Sequence, residues 1–214
     1  MSIINNEFLT RNKAIGAAFD RISADYDAIH YNAIDGGPES KLHTVKFIPP
    51  TAKKILNLGA GTGEELEHIF ARNKNAQVDC VDISPKMLDI LKERFSHENI
   101  NAICQDYFER DYEKEAYDCV VSIMSLHHFL PEQKEWLYRK IYETLVAKGT
   151  FVYGDLFARN FKEERQQAAK YNNDAKFDTQ TLPSTDIKLL KRVGFERAHL
   201  MWKFGNTGCI VAGK

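Results

Sequence analysis

The rhythm of apolar and polar positions changes near residue 53. Before it, Ile15, Ala18, Phe19, Ile22, Tyr26 and Ile29 recur at helical spacing, so residues 11–30 predict one amphipathic helix or two short ones. Asp35-Gly36-Gly37-Pro38 breaks that pattern, a further helix is expected from about 39 to 47, and Pro49-Pro50 stops it. Residues 1–50 therefore read as a helical cap. After it, short apolar runs alternate with amphipathic ones. Strands are expected at 55–58, 77–83, 101–105, 117–123 and 149–157, and helices near 64–72, from Ser84-Pro85 onward, and at 131–146. Ser84-Pro85 is a good N-cap and first-turn pair. A charged helix at 160–171, a helix at 184–193, and two strands at 195–203 and 207–213 about Gly205-Asn206 complete the pattern. The alternation predicts an α/β fold, a parallel sheet with helices on both faces, closed by a hairpin. One domain is expected over 1–214, with 157–183 as a lid beside the acceptor pocket.

Composition changes this picture little. The 214 residues are 43% hydrophobic and 28% charged, with a formal net charge of -1 and a pI near 6.7. That balance gives no electrostatic reason for nucleic acid or an anionic membrane to be the main partner. The opening MSIINNEFLTRNK lacks a signal-peptide core and no run of 18 apolar residues occurs, so a cytoplasmic protein is expected. Cys80, Cys104, Cys119 and Cys209 show no CxxC pairing and read as free core thiols.

The chemistry concentrates at Lys53–Glu64, KKILNLGAGTGE. An apolar strand ends in Gly59, Gly61 and Gly63, and Glu64-Glu65 then open a helix. Glycine lets the backbone take positive φ and approach a ligand closely, and the helix start offers free N–H groups. A dinucleotide fingerprint needs its third glycine one position later, where Glu64 stands. Glu64 and Glu65 would also repel a pyrophosphate, so a zwitterionic amino-acid portion suits this turn better. Asp82 closes the second strand, where a carboxylate can accept hydrogen bonds from both ribose hydroxyls of an adenosine, with Ile83 and Met87 beside the base. Its alternative is a charge at the start of the Ser84-Pro85 helix. Asp106-Tyr107 closes the third strand, where a carboxylate can receive the adenine amino hydrogen. Ile123 closes the fourth.

NLGAGTG, VDIS, QDY, YDCVVSIMSLHHF and LVAKGTFVYGD together resemble the successive motifs of class I S-adenosylmethionine-dependent methyltransferases. The resemblance spans about residues 19–214. It implies a Rossmann-like seven-stranded sheet of order 3-2-1-4-5-7-6 with the last strand antiparallel. It also implies S-adenosylmethionine contacts at Gly59, Ala60 and Gly61 (methionine), Asp82 and Ile83 (ribose), and Asp106 and Tyr107 (adenine). Asn57 departs from the acid that many members carry, which removes a charge near the cofactor ammonium. FDRISADYD and VGFERAHLMWKFGNTGCIVAGK are also similar to carboxy-S-adenosylmethionine synthases, which act in tRNA wobble modification. Their pocket asparagine is replaced here by Met124 or a neighbour, which favours ordinary methyl transfer.

Methyl transfer from a sulfonium needs alignment more than acid–base help, and a base matters only if the acceptor must lose a proton. His127 and His128, just past the fourth strand, are the candidates; neighbours point in different directions, so at most one faces the pocket, and His128 is preferred. Packing is the competing explanation for both. Tyr26 and Tyr31 of the cap could close over the cofactor. No metal is expected, because no acidic cluster with ligand spacing accompanies a pair such as His127 and Asp155. Trp202 and Phe204 read as core. The expected partner is a small-molecule acceptor, with a homodimer left open. An arginine near the methyl, Arg159 or Arg165, would instead favour a carboxy-sulfonium synthase. A cofactor-binding pseudo-enzyme would lack an acceptor cavity.

Overall fold

The computed structural model describes residues 3–33, 35–36, 39–170 and 178–214, with the backbone alone for 30–33. Seven strands form one sheet: β1 (Lys54–Leu58), β2 (Gln77–Asp82), β3 (Ile100–Cys104), β4 (Tyr117–Ile123), β5 (Leu145–Leu156), β6 (Arg197–Phe204) and β7 (Thr207–Gly213). Their order is β3-β2-β1-β4-β5-β7-β6, as expected, and β7 runs antiparallel to both its neighbours. The strand order turns back at β1, which pairs with β2 on one side and β4 on the other. In open α/β sheets ligands bind at the carboxyl ends of strands beside such a switch point.

Side-chain alternation builds a core on each face. Leu56, Leu58, Val120, Phe151 and Tyr153 pack on one side with Leu137, Tyr138, Leu189 and Leu190, from α6 (Pro131–Thr144) and α8 (Pro183–Val193). Ile55, Val78, Cys80, Val121 and Val152 pack on the other with Leu66 and Ile69 of α4 (Glu64–Arg72) and Leu88 and Leu91 of α5 (Pro85–Arg94). The near-continuous apolar strands are what a sheet covered on both faces requires. Ser84 caps α5, accepting from the Met87 amide at 3.3 Å.

The N-terminal segment resolves into α1 (Asn6–Ile22), a 3-10 turn at Ser23–Asp25, α2 (Tyr26–Ala33) and α3 (Glu39–Val45). Asn5 starts α1 by accepting from the Phe8 amide at 2.9 Å. Strand β5 begins four residues before the expected 149, since Leu145 already pairs with Tyr117 across an irregularity. Lys148, at φ 66, takes the left-handed turn position there. Cys80, Cys119 and Cys209 are buried free thiols, but Cys104 is exposed, because β3 is an edge strand. Phe204 is likewise not core: it is 65% exposed on the opposite edge strand. No described helix is long and apolar enough to cross a membrane.

Candidate functional site

The ends of β1, β2 and β4 and the inner face of α1 border two adjoining hollows. Phe19, Gly59, Asp82, Ser125 and His128 border both.

The glycine turn is shaped as the spacing implies. Gly59, Gly61 and Gly63 have φ of 72°, 53° and 79°. At Gly59 a Cβ would stand 2.1 Å from Ser125 Oγ, so only glycine lets β1 and β4 converge here. Asp82 accepts from the Gly61 amide through one oxygen and from the Ser84 amide through the other, both at 2.8 Å. It therefore serves the helix start and the cavity wall together. Burial raises its pKa.

At the larger hollow, Asp106 accepts from Asn12 Nδ2 and from the Phe108 amide, both at 2.8 Å. Asn12 Oδ1 is buried and accepts no hydrogen bond. An orphaned acceptor beside two carboxylates, with Ile15, Ile83 and Phe129 around it, offers polar contacts to ribose and adenine edges and apolar ones to a base. The smaller hollow adds Tyr26, Gly61, Met87 and Met124. Burial, then Asp82 and Glu65, push the Tyr26 phenol well above its ordinary pKa. Met124, a non-glycine residue at φ 56, turns the chain out of β4 and sets Ser125 opposite Tyr107, whose hydroxyl lies 3.0 Å from Ser125 Oγ.

The charge that Asn57 lacks returns from α4. Fully buried Asn57 donates through Nδ2 to Glu65 Oε1 at 2.5 Å, and burial raises the Glu65 pKa. Glu64 is paired with Lys41. These acids beneath and beside the turn suit a ligand bearing positive charge and oppose a pyrophosphate.

Of the residues picked out in the sequence, Gly59, Gly61, Asp82, Ile83, Met87, Asp106, Tyr107, Tyr26 and His128 all border the hollows. Ala60 and Ile123 do not; both pack into the core around α4. His127 lies behind the wall, with Nδ1 2.5 Å from Asp155 Oδ1. Asp155 is fully buried and accepts from the Leu126 and His127 amides at 2.8 and 3.1 Å. The Tyr31 side chain lies outside the described residues. Helix α7 (Phe161–Lys170) buries none of its residues, and no described residue of 157–183 borders the hollows. Helix α1 covers the hollows. Arg11 donates to the His128 carbonyl at 3.1 Å, Ser84 Oγ donates to Asp20 at 2.6 Å, and a Cβ on Gly16 would come within 2.9 Å of Ile83. Asn12, Ile15, Phe19 and Ser125 were missed by the sequence reading. Ser125 had a signal, being a small polar residue just past a strand end. The α1 residues had none beyond helical periodicity.

Strand order, a glycine turn at the switch point, and an acid at the end of β2 and another just past β3 define a Rossmann-like protein with a candidate ligand site at the strand ends. Residues 55–149 match a methyltransferase domain. Malonyl-[acyl-carrier protein] O-methyltransferase 1 of Ilyobacter polytropus is 25% identical over 178 residues, 83% of this chain and 62% of that protein. Carboxy-S-adenosyl-L-methionine synthase of Campylobacter lari is 25% identical over 190 residues, 78% of this chain and 80% of that protein. The crystal structure of human N-acetylserotonin methyltransferase in complex with SAM superposes with a TM-score of 0.72 at 18% identity, over 99% of this chain and 60% of that one, a likeness of fold. The chain thus spans less than two thirds of the Ilyobacter relative's length. It is similar to S-adenosylmethionine-dependent methyltransferases, with the methyltransferase domain over residues 55–149.

Proposed function

We propose that this protein transfers a methyl group to a small-molecule acceptor standing against His128. When bound, S-adenosylmethionine supplies a methyl group on a sulfonium that an acceptor atom displaces in line. The chain's own residues do the rest. Asp82 and Asp106 hold the adenosine, the 59–61 turn receives the amino-acid portion, and Asp82, Glu65 and Tyr26 surround the positive charge. Alignment of this kind contributes on the order of 7–11 kcal/mol. His128 assists loss of the acceptor's proton where one must leave.

The observation that carries this reading is the position of His128, whose side chain borders both hollows while His127 is held behind it by Asp155. A carboxy-sulfonium synthase is not favoured: Arg159 is mostly exposed and paired with Glu163, and Arg165 lies over the Phe161 ring on the outward helix α7.

Incubation with methyl-labelled S-adenosylmethionine and a panel of small hydroxyl, carboxyl, amine and thiol compounds tests the proposal by label transfer. His128→Ala should slow transfer by about 10²–10⁴-fold. It should leave cofactor affinity in place. Unchanged turnover in a folded variant would remove His128 from the reaction.

A further inference from the structure

His127, His128 and Asp178 bring one donor atom each to within 4.8 Å of one another. Asp178 Oδ1 stands 3.4 Å from His128 Nδ1 and 3.7 Å from His127 Nε2. These separations exceed the roughly 2.7–3.2 Å of an N–H···O hydrogen bond. The two distances from Asp178 Oδ1 come near the edge of about 3.4 Å in a tetrahedron whose ligand bonds are about 2.1 Å long, and all three donor atoms lie within 4.8 Å of one another. We propose that His127, His128 and Asp178 bind a divalent transition-metal ion of the zinc class at the acceptor wall.

The surrounding fold prepares each ligand. Asp155 engages Nδ1 of His127, fixing the ring and leaving Nε2 toward Asp178. A buried carboxylate behind a histidine is the usual outer support of a metal-ligating imidazole. Asp178 is set in place by its neighbour: the Thr179 amide and hydroxyl both donate to the His127 carbonyl, at 2.5 and 3.0 Å. Two residues on, the Thr181 carbonyl accepts from the Ala158 amide at 2.9 Å. The third ligand is thus tied to the backbone of the first.

Charge points the same way. The two imidazole rings lie 4.1 Å apart, close enough to share one ion. A divalent ion is balanced by Asp178 and Asp155. Two nitrogens and one carboxylate suit zinc and its first-row neighbours better than calcium or magnesium. Three protein ligands leave a fourth position, the arrangement of catalytic rather than structural zinc. His128 puts that position at the cavity wall, so the acceptor class is a molecule offering an oxygen donor, such as a hydroxyl or carboxylate. This rests on the reading above that the acceptor stands against His128, and it makes His128's assistance that of a ligand to the ion.

The test uses the full chain, stripped with a chelator and titrated with Zn²⁺ by calorimetry and with Co²⁺ by visible absorption. Equimolar binding with the intense visible bands of tetrahedral cobalt is expected. Asp155→Asn should weaken it about 10–100-fold. Asp178→Ala, at a half-buried strap position, should weaken it further without unfolding the chain. No equimolar binding, or binding that Asp178→Ala and His127→Ala leave unchanged, overturns the site. The same stripped protein is titrated with S-adenosylmethionine. Cofactor binding without zinc binding sinks the metal site alone; zinc binding without cofactor binding sinks the methyl-transfer reading and leaves the site standing.

Discussion

Removing the Asp82 carboxylate isolates the cofactor's hold most cleanly. In the structure its two oxygens accept from the Gly61 and Ser84 amides, and the residue borders both hollows. A carboxylate taking both ribose hydroxyls makes two hydrogen bonds to a charged group, worth about 1.5–3 kcal/mol each. Asp82→Ala should therefore cost about 3–6 kcal/mol of binding, a weakening of roughly two to four orders of magnitude. Asp82→Asn keeps one acceptor without charge and should fall between. Folding suffers less: losing the partner of a buried amide costs about 1–3 kcal/mol, and the Gly61 amide can turn to water in the cavity. Calorimetric titration with S-adenosylmethionine and with S-adenosylhomocysteine reads the binding loss, and thermal melting reads the fold. Both ligands carry the ribose, so both should weaken in parallel. Affinity within threefold of the parent in a folded Asp82→Ala variant would refute the ribose assignment.

Burial raises the pKa of Asp82 and of Glu65, so as pH falls each takes up a proton before an ordinary carboxylate does. The cofactor's positive charge favours their ionised forms. Its affinity should thus decline with falling pH from above the ordinary carboxylate range of about 4. Binding there should release protons, seen as buffer-dependent heats; a flat profile would contradict this. In the cofactor-free chain the folded state holds these protons more tightly than the unfolded state. The two acids therefore cost stability above their raised pKa values, and that cost fades as pH falls through them. Gly59→Ala would strain a residue at φ 72° and drive a Cβ to 2.1 Å from Ser125 Oγ, so cofactor binding should be lost; normal affinity would show that the turn does not approach the ligand. Lys134 is fully buried, donating to Thr181 at 2.8 Å and Tyr153 at 3.1 Å and paired with Asp186 at 3.4 Å. Lys134→Ala should cost about 3–5 kcal/mol in urea unfolding by stranding the Asp186 charge; a loss under about 1 kcal/mol would mean that the charge finds other partners.

The sheet was legible because parallel strands buried on both faces write continuous apolar runs, and its carboxyl-end residues fall at fixed offsets from those runs. Gly59, Asp82 and Asp106 could be placed for that reason. What came from α1 could not. Asn12, Ile15 and Phe19 are ordinary helix positions until that helix lies across the ends of β2 and β4, a contact no local pattern encodes. Glu65 looked like a helix-start charge, and only the fold reveals that it faces Asn57 and restores the missing acid. Asp178 lies fifty residues beyond the histidines it meets, so spacing along the chain hid that cluster. Ile123 does not border the hollows: strand alternation turns it into the core, while Met124, at a positive φ, turns the next residues outward.

Calorimetric titration of the purified chain with S-adenosylmethionine, with NAD as control, tests the cofactor site most directly. Micromolar binding of the sulfonium and none of the dinucleotide is the predicted result. Binding of the dinucleotide instead, or of neither, would contradict it.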